Sequence, residues 1–150
     1  MKGVAERIRL LREKSCKSEN EVADAVGLSI HEYEDLEAYD NEIIDVLSLG
    51  AAKRVAAYLG QPLIQLLVPE KKSWPEVVIA PSELGSLARS KIEREQLSLE
   101  EAEDLVGWKL QRLFEDPECY LEENPIMFIF DLTGFLEVNW LSVLPSGGNS

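Results

Sequence analysis

Residues 18–37, SENEVADAVGLSIHEYEDLE, read as two short helices joined at a single glycine. Ser18 stands three residues before Glu21, the spacing of a capping box, in which a hydroxyl accepts from an orphan backbone N–H and a carboxylate reaches back to the cap. A helix is predicted to start there. Val22, Ala23 and Val26 share one helical face, and Gly27 follows them where a residue with positive φ commonly closes a helix. Ser29 and Glu32 repeat the capping-box spacing, and Tyr33 and Leu36 supply the apolar stripe of a second helix. Helix, glycine turn and helix make a helix-turn-helix unit.

Upstream, Val4, Ile8 and Leu11, with Leu10 beside them, form the apolar stripe of a first helix, and Arg7, Arg9, Arg12, Lys14 and Lys17 lie on its opposite face. Two readings of that face stand: a basic patch for phosphate or an acidic partner, and a solvated surface that balances acidic neighbours in its own fold. Downstream, residues 42–49 (EIIDVLSL) are compact and apolar. Ala52, Val55, Ala56 and Leu59 then mark one face of a helix that ends at Gly60, and Pro62 sits near the start of a last short helix. Residues 68–81 (VPEKKSWPEVVIAP), with three prolines and a β-branched run, read as an extended linker or a short strand, with Trp74 packing over a domain boundary.

The run 4–67 resembles the Cro/C1 (Xre) family of helix-turn-helix proteins, the lambda-repressor-like fold. The resemblance is carried by I-R-x-L-R at 8–12, S-x-x-E-x-A-x-x-x-G at 18–27, Tyr33 with Leu36 and Glu37, and LGQPLIQLL at 59–67. It implies a five-helix domain, an internal ion pair between Arg12 and Glu37, and a helix over 29–37 that enters the DNA major groove in DNA-binding members. Here the chain departs from the family. The positions that would meet bases or phosphates are Ser29, Ile30, His31, Glu32, Glu34 and Asp35, where readers of DNA commonly carry Gln, Arg, Asn, Ser or Lys. Residues 18–50 hold ten acidic side chains and no Lys or Arg. Affinity for DNA comes largely from cations that displace condensed counterions, so this surface is expected to repel the duplex.

The second half becomes legible when laid over the first with a shift of 80. Arg89 falls on Arg9, Glu93 on Glu13, Ser98 on Ser18, Glu101 on Glu21, Asp104 on Asp24, Val106 on Val26 and Gly107 on Gly27. Pro81 and Ser82 offer a helix start before it. The counterpart of the second helix is predicted over 109–115 (KLQRLFE), stopping before Pro117. The Arg12 and Glu37 positions become Ile92 and Pro117, so the ion pair has no counterpart. The repeat is read as degenerate, with chance alignment of two amphipathic helices as its rival. Residues 123–144 (ENPIMFIFDLTGFLEVNWLSVL) are apolar on nearly every side, with Ile126, Phe130 and Gly134, or Ile129 and Leu132, as buried faces. They are expected to be covered between the two domains or at a dimer contact. The element LTGFLEVNWL resembles the closing segment of the same family.

The whole chain carries a net charge of −13, with 45% hydrophobic residues among 150. That balance favours basic or protein partners and disfavours nonspecific binding to nucleic acid or anionic membrane. The charge is unevenly placed: residues 1–17 hold six basic and two acidic side chains, residues 97–123 nine acidic and two basic. Cys16, Cys119 and the lone His31 make neither a disulfide framework nor a metal set. No signal peptide, membrane span, phosphate-cradling loop or nucleophile with a histidine partner is read, so no enzyme, cofactor or small-molecule substrate is expected, and the expected location is cytoplasmic.

The expected architecture is all-α: a Cro/C1-type domain over 1–68, a linker over 69–81, a degenerate helix-turn-helix-like domain over 82–145 and a disordered tail over 146–150. The expected function is regulatory, with the acidic face of Ile30, His31, Glu32, Glu34 and Asp35, extending over 37–42, steering toward a basic protein partner. The chief rival is a DNA-binding regulator reading through Lys109, Gln111 and Arg112, which are residue types suited to base and phosphate contacts. A homodimer through the apolar C-terminal run is a third reading.

Overall fold

Helix α1 (Val4–Lys14) opens the computed structural model, which describes residues 3–145 of the chain and is all-α. It is followed by α2 (Glu19–Val26), α3 (Ile30–Ala38), the single turn α4 (Glu42–Asp45), α5 (Leu49–Tyr58) and α6 (Leu63–Leu67). A stretch with one 3-10 turn at Lys71–Ser73 leads to α7 (Pro81–Arg94), α8 (Leu99–Val106), α9 (Gln111–Glu115), α10 (Pro117–Glu123) and α11 (Ile126–Leu136), and a 3-10 turn at Trp140–Ser142 closes the chain. Among the described residues β structure is confined to one antiparallel bridge, Ser48 with Pro125. The tail expected over 146–150 lies outside the described residues.

Both capping boxes of the first half form. The Ser18 and Ser29 hydroxyls accept from the Glu21 and Glu32 N–H groups, and each carboxylate accepts from its cap N–H in return. Gly27, at φ 76°, ends α2 in the left-handed region that a Cβ would penalise. Val22, Ala23, Val26, Tyr33 and Leu36 are buried where the pattern places them, together with Val4 and Ile8 of α1. Leu11 of the same stripe is only partly buried, and Leu10 beside it is half-exposed.

The shift of 80 holds bond by bond over one stretch. The Ser18–Glu21 box recurs as Ser98–Glu101, and Gly27 recurs as Gly107 at φ 87°. Cys16 and Gln96, neither a glycine, both take positive φ, 58° and 55°. The N–H of Lys17 donates to the Arg12 carbonyl, and that of Leu97 donates to Ile92. Cys16 to Glu13 is matched by Gln96 to Glu93. The match ends after Gly107. The helix expected over 109–115 begins only at Gln111, and Pro117, where Glu37 stands in the first half, starts a separate helix, since proline favours N1 and disfavours helix in the residue before it.

The two halves meet reciprocally. Helix α4 packs on α11, and α5 packs on α10. The Ser48–Pro125 bridge lies immediately before α5 and α11, and the Leu49 N–H donates to the Asn124 carbonyl at 2.8 Å. Exchange of the halves maps this set of contacts onto itself, as in a two-fold dimer interface, here inside one chain. Beside it, Lys53, 6% exposed, reaches the Glu122 carboxylate at 2.7 Å. A Cβ at Gly50 would approach that carboxylate to 3.0 Å and the Glu122 carbonyl to 3.3 Å, so α5 and α10 lie close together at this point. One continuous cluster of buried residues runs from Val4 to Leu144. The segment expected as a linker is tied in at both ends: Trp74 Nε1 donates to the Val68 carbonyl, and the buried Ile79 donates its N–H to Ser142.

In α11 the buried residues are Ile126, Phe128, Ile129, Leu132 and Thr133. The Ile129 and Leu132 face is thus the buried one. Phe130, from the other candidate face, is half-exposed, and Gly134 is exposed.

Tyr33 is fully buried, and its hydroxyl has no hydrogen bond of ordinary geometry, although burial and the neighbouring Glu37 carboxylate both raise its pKa. Removing a buried, unsatisfied hydroxyl relieves a desolvation penalty. Tyr33→Phe is therefore expected to leave stability unchanged or raise it by about 1 kcal/mol in urea unfolding. A loss of about 1 kcal/mol or more would mean that the hydroxyl bonds to Glu37 in solution.

Candidate functional site

The Ser29 capping box sets the start of α3, so its outward face is fixed by backbone chemistry. His31, Glu32, Glu34 and Asp35 are exposed, and Ile30 is half-buried. Glu32 is occupied with the cap, and its hydrogen bond from the Ser29 backbone holds its pKa below the usual carboxylate value. His31 Nδ1 lies 3.4 Å from the Glu34 carboxylate.

The acidic face does not extend evenly over 37–42. The Arg12 guanidinium reaches Glu37 through two bonds, 2.6 and 3.0 Å, and both side chains are largely buried. Asp40 turns toward α1, accepting from the N–H groups of Gly3 and Ala5 at 3.1 and 3.0 Å, which cap that helix and lower the aspartate's pKa. The residues left for an outside partner are Glu34 and Asp35, joined by Glu42 and Asp45 of α4. Partial burial first, and then the charges of Asp35 and Asp45, raise the pKa of Glu42. No cation relieves this corner: none of Asp35, Glu42 and Asp45 enters an ion pair among the described residues.

The cations are spent elsewhere. Arg7 donates to the carbonyls of Leu66 and Leu67 at the end of α6. Arg9 pairs with Glu6 and Glu13, Lys17 with Glu21, and Arg54 donates to the Val26 carbonyl. Most of the basic face of α1 thus balances acidic groups and carbonyls of its own fold.

In the second half, Arg112 binds Glu123 through its two terminal guanidinium nitrogens, Nη1 and Nη2, and lies over the Tyr120 ring. Its hydrogen bonds, with that of the Cys119 thiol, bring the Glu123 pKa down to about 2, so the pair is charged on both sides at neutral pH. Gln111 donates to Glu115 at 2.9 Å. Lys109, with its side chain 87% exposed, lies 3.7 Å from Glu103. The three candidate DNA-contact residues share one region, each beside a carboxylate.

Where α4 meets α11, an apolar groove of about 270 Å³ opens to solvent, lined chiefly by Ile44, Asp45, Met127, Phe130 and Trp140. Phe130 and Trp140 stack edge to face across 5.8 Å. In the sequence Asp45 lies in the compact apolar run 42–49 inside the acidic block 18–50, and Phe130 in a C-terminal run expected to be covered between the domains or at a dimer contact. Nothing in local spacing announces that these stretches meet.

Among the described residues no helix is long and apolar enough to cross a membrane, and no group of three His, Cys, Asp or Glu side chains is placed to hold a metal ion. No family model, no curated protein and no solved structure matches the chain. The class the fold defines is an all-α protein.

Proposed function

We propose that this chain is a regulatory protein on a Cro/C1-like helix-turn-helix scaffold, in which the surface used elsewhere to read DNA contacts a basic protein instead. The observation that carries the reading is the charge of the α3–α4 corner. His31, Glu34, Asp35, Glu42 and Asp45 face outward or border that corner with no Lys or Arg near them in sequence, while nearby cations are engaged internally. Like charge opposes a phosphate backbone, and the same field steers a basic protein toward the site. A homodimer through α11 is disfavoured because the chain's own helices cover its principal apolar face.

The test has two arms. Fragmented genomic DNA, offered at low and at physiological salt, is expected not to be retained. The variant His31→Lys/Glu34→Lys/Asp35→Lys is expected to abolish retention of basic proteins by the immobilised chain. One specific observation favours a second reading, a DNA-binding transcriptional regulator: Lys109, Gln111 and Arg112 are all exposed on the second unit. Retention of a subset of DNA fragments with a clear salt slope, lost in Lys109→Glu, would establish that reading in place of the first.

A further inference from the structure

The groove between α4 and α11 has an apolar floor and an acidic edge. Asp45 belongs to both, since it lines the groove and neighbours Glu42. Met127, Phe130 and Trp140 are only partly covered, and Phe130 keeps half of its surface in water at an energetic cost that burial would recover. The space lies below the roughly 300–1,000 Å³ of small-molecule sites and suits one large side chain.

Charge decides which occupant fits. A second copy of this chain would bring another net −13 and a second Asp35, Glu42 and Asp45 against the first. Residues 146–150, SGGNS, carry no large apolar side chain to fill the groove from within. A segment with lysine or arginine on either side of one bulky apolar residue satisfies both features. Its anchor would bury Phe130 and Trp140, and its cations would neutralise carboxylates that enter no ion pair among the described residues.

We infer that the α4–α11 groove is the anchoring site for such a segment of the basic partner, an apolar side chain entering between Ile44 and Phe130 while flanking cations meet Asp45, Glu42 and Asp35. This rests on the protein-partner reading above and adds to it a position and a recognition chemistry.

Two fluorescein-labelled lysine-rich peptides test it on the full chain, one carrying a single central phenylalanine and the other serine in its place. The phenylalanine peptide is expected to bind at least about tenfold more tightly. That advantage should vanish in Phe130→Ser, with Met127→Ser as the second variant should the first disturb the far-UV circular dichroism. Asp45→Lys should weaken the phenylalanine peptide about tenfold, and Asp104→Lys, on α8, less than about twofold. Equal binding of both peptides would overturn the groove assignment and leave the acidic-surface reading intact, because charge alone would then suffice. No binding of either peptide would overturn both. Self-association of the chain in sedimentation, broken by Phe130→Ser, would assign the groove to a second copy and overturn the inference.

Discussion

Alanine in place of Phe128 is expected to cost roughly 3–5 kcal/mol of unfolding free energy. Phe128 has no exposed surface and stands where the second half closes on itself. Its ring meets Trp108 at 5.3 Å and 63° and Tyr120 at 5.3 Å and 74°, both edge to face. Truncation removes the transfer energy of the ring and leaves a cavity among α8, α10 and α11 that helices pinned by Asp131 and Lys109 cannot readily close. Trp108 Nε1 donates to Asp131 at 2.9 Å, and the Tyr120 hydroxyl donates to the Lys109 carbonyl. Because the buried cluster is continuous across both halves, urea unfolding followed by far-UV circular dichroism and by tryptophan fluorescence should give coincident single transitions in wild type and variant. Separate transitions would mean that the halves unfold as independent units, and a loss below about 2 kcal/mol would mean that the neighbours collapse into the space.

Glu37→Ala is the second large effect, expected at about 3–5 kcal/mol. The Arg12 and Glu37 side chains are 12% and 6% exposed, and the Glu37 hydrogen bond holds the Arg12 pKa above its ordinary value. Removing the carboxylate strands a mostly buried guanidinium, whose remaining contacts are the Lys17 carbonyl at 3.0 Å and Glu19 at 3.6 Å. The loss from a single replacement therefore exceeds the net worth of the pair. Arg12→Met/Glu37→Leu should recover most of the stability, since a buried ion pair can be exchanged for apolar packing at little cost. A double-mutant cycle from denaturant midpoints checks both statements. A double variant as unstable as Glu37→Ala would show that the pair contributes positively beyond the avoidance of an orphan charge.

The second half has no such pair, and the consequence is visible in its shape. With Ile92 and Pro117 at the equivalent positions, α9 ends after Glu115, and the chain starts α10 at once. From there the two halves differ in spacing: Ser48 to Pro125 is an offset of 77, three less than the 80 that relates Gly27 to Gly107. The resemblance between halves is strongest where side chains bond their own neighbours and weakest where long-range packing takes over.

That boundary also separates what could be read from residues alone. The starts of α2, α3 and α8, the glycine stops at 27 and 107 and the buried stripes of α2, α3 and α5 were legible because each depends on partners three or four residues away. Local chemistry of that range is written in spacing. Which face of α11 is covered does not follow from its residues, since an all-apolar helix carries no periodic signal. The roles of Asp40 at the start of α1 and of Glu122 against Lys53 were not legible either.

By itself, then, the sequence determined an all-α chain, its capped helices and the concentration of acidic charge over 18–50. Only the tertiary structure decided which of those carboxylates are consumed by the fold and which face outward. It alone brought α4, near residue 45, against α11, near residue 130, to make an apolar groove beside an acidic corner. The physical reason is distance along the chain: a contact between residues some eighty positions apart depends on how every intervening helix packs, and no local periodicity encodes it.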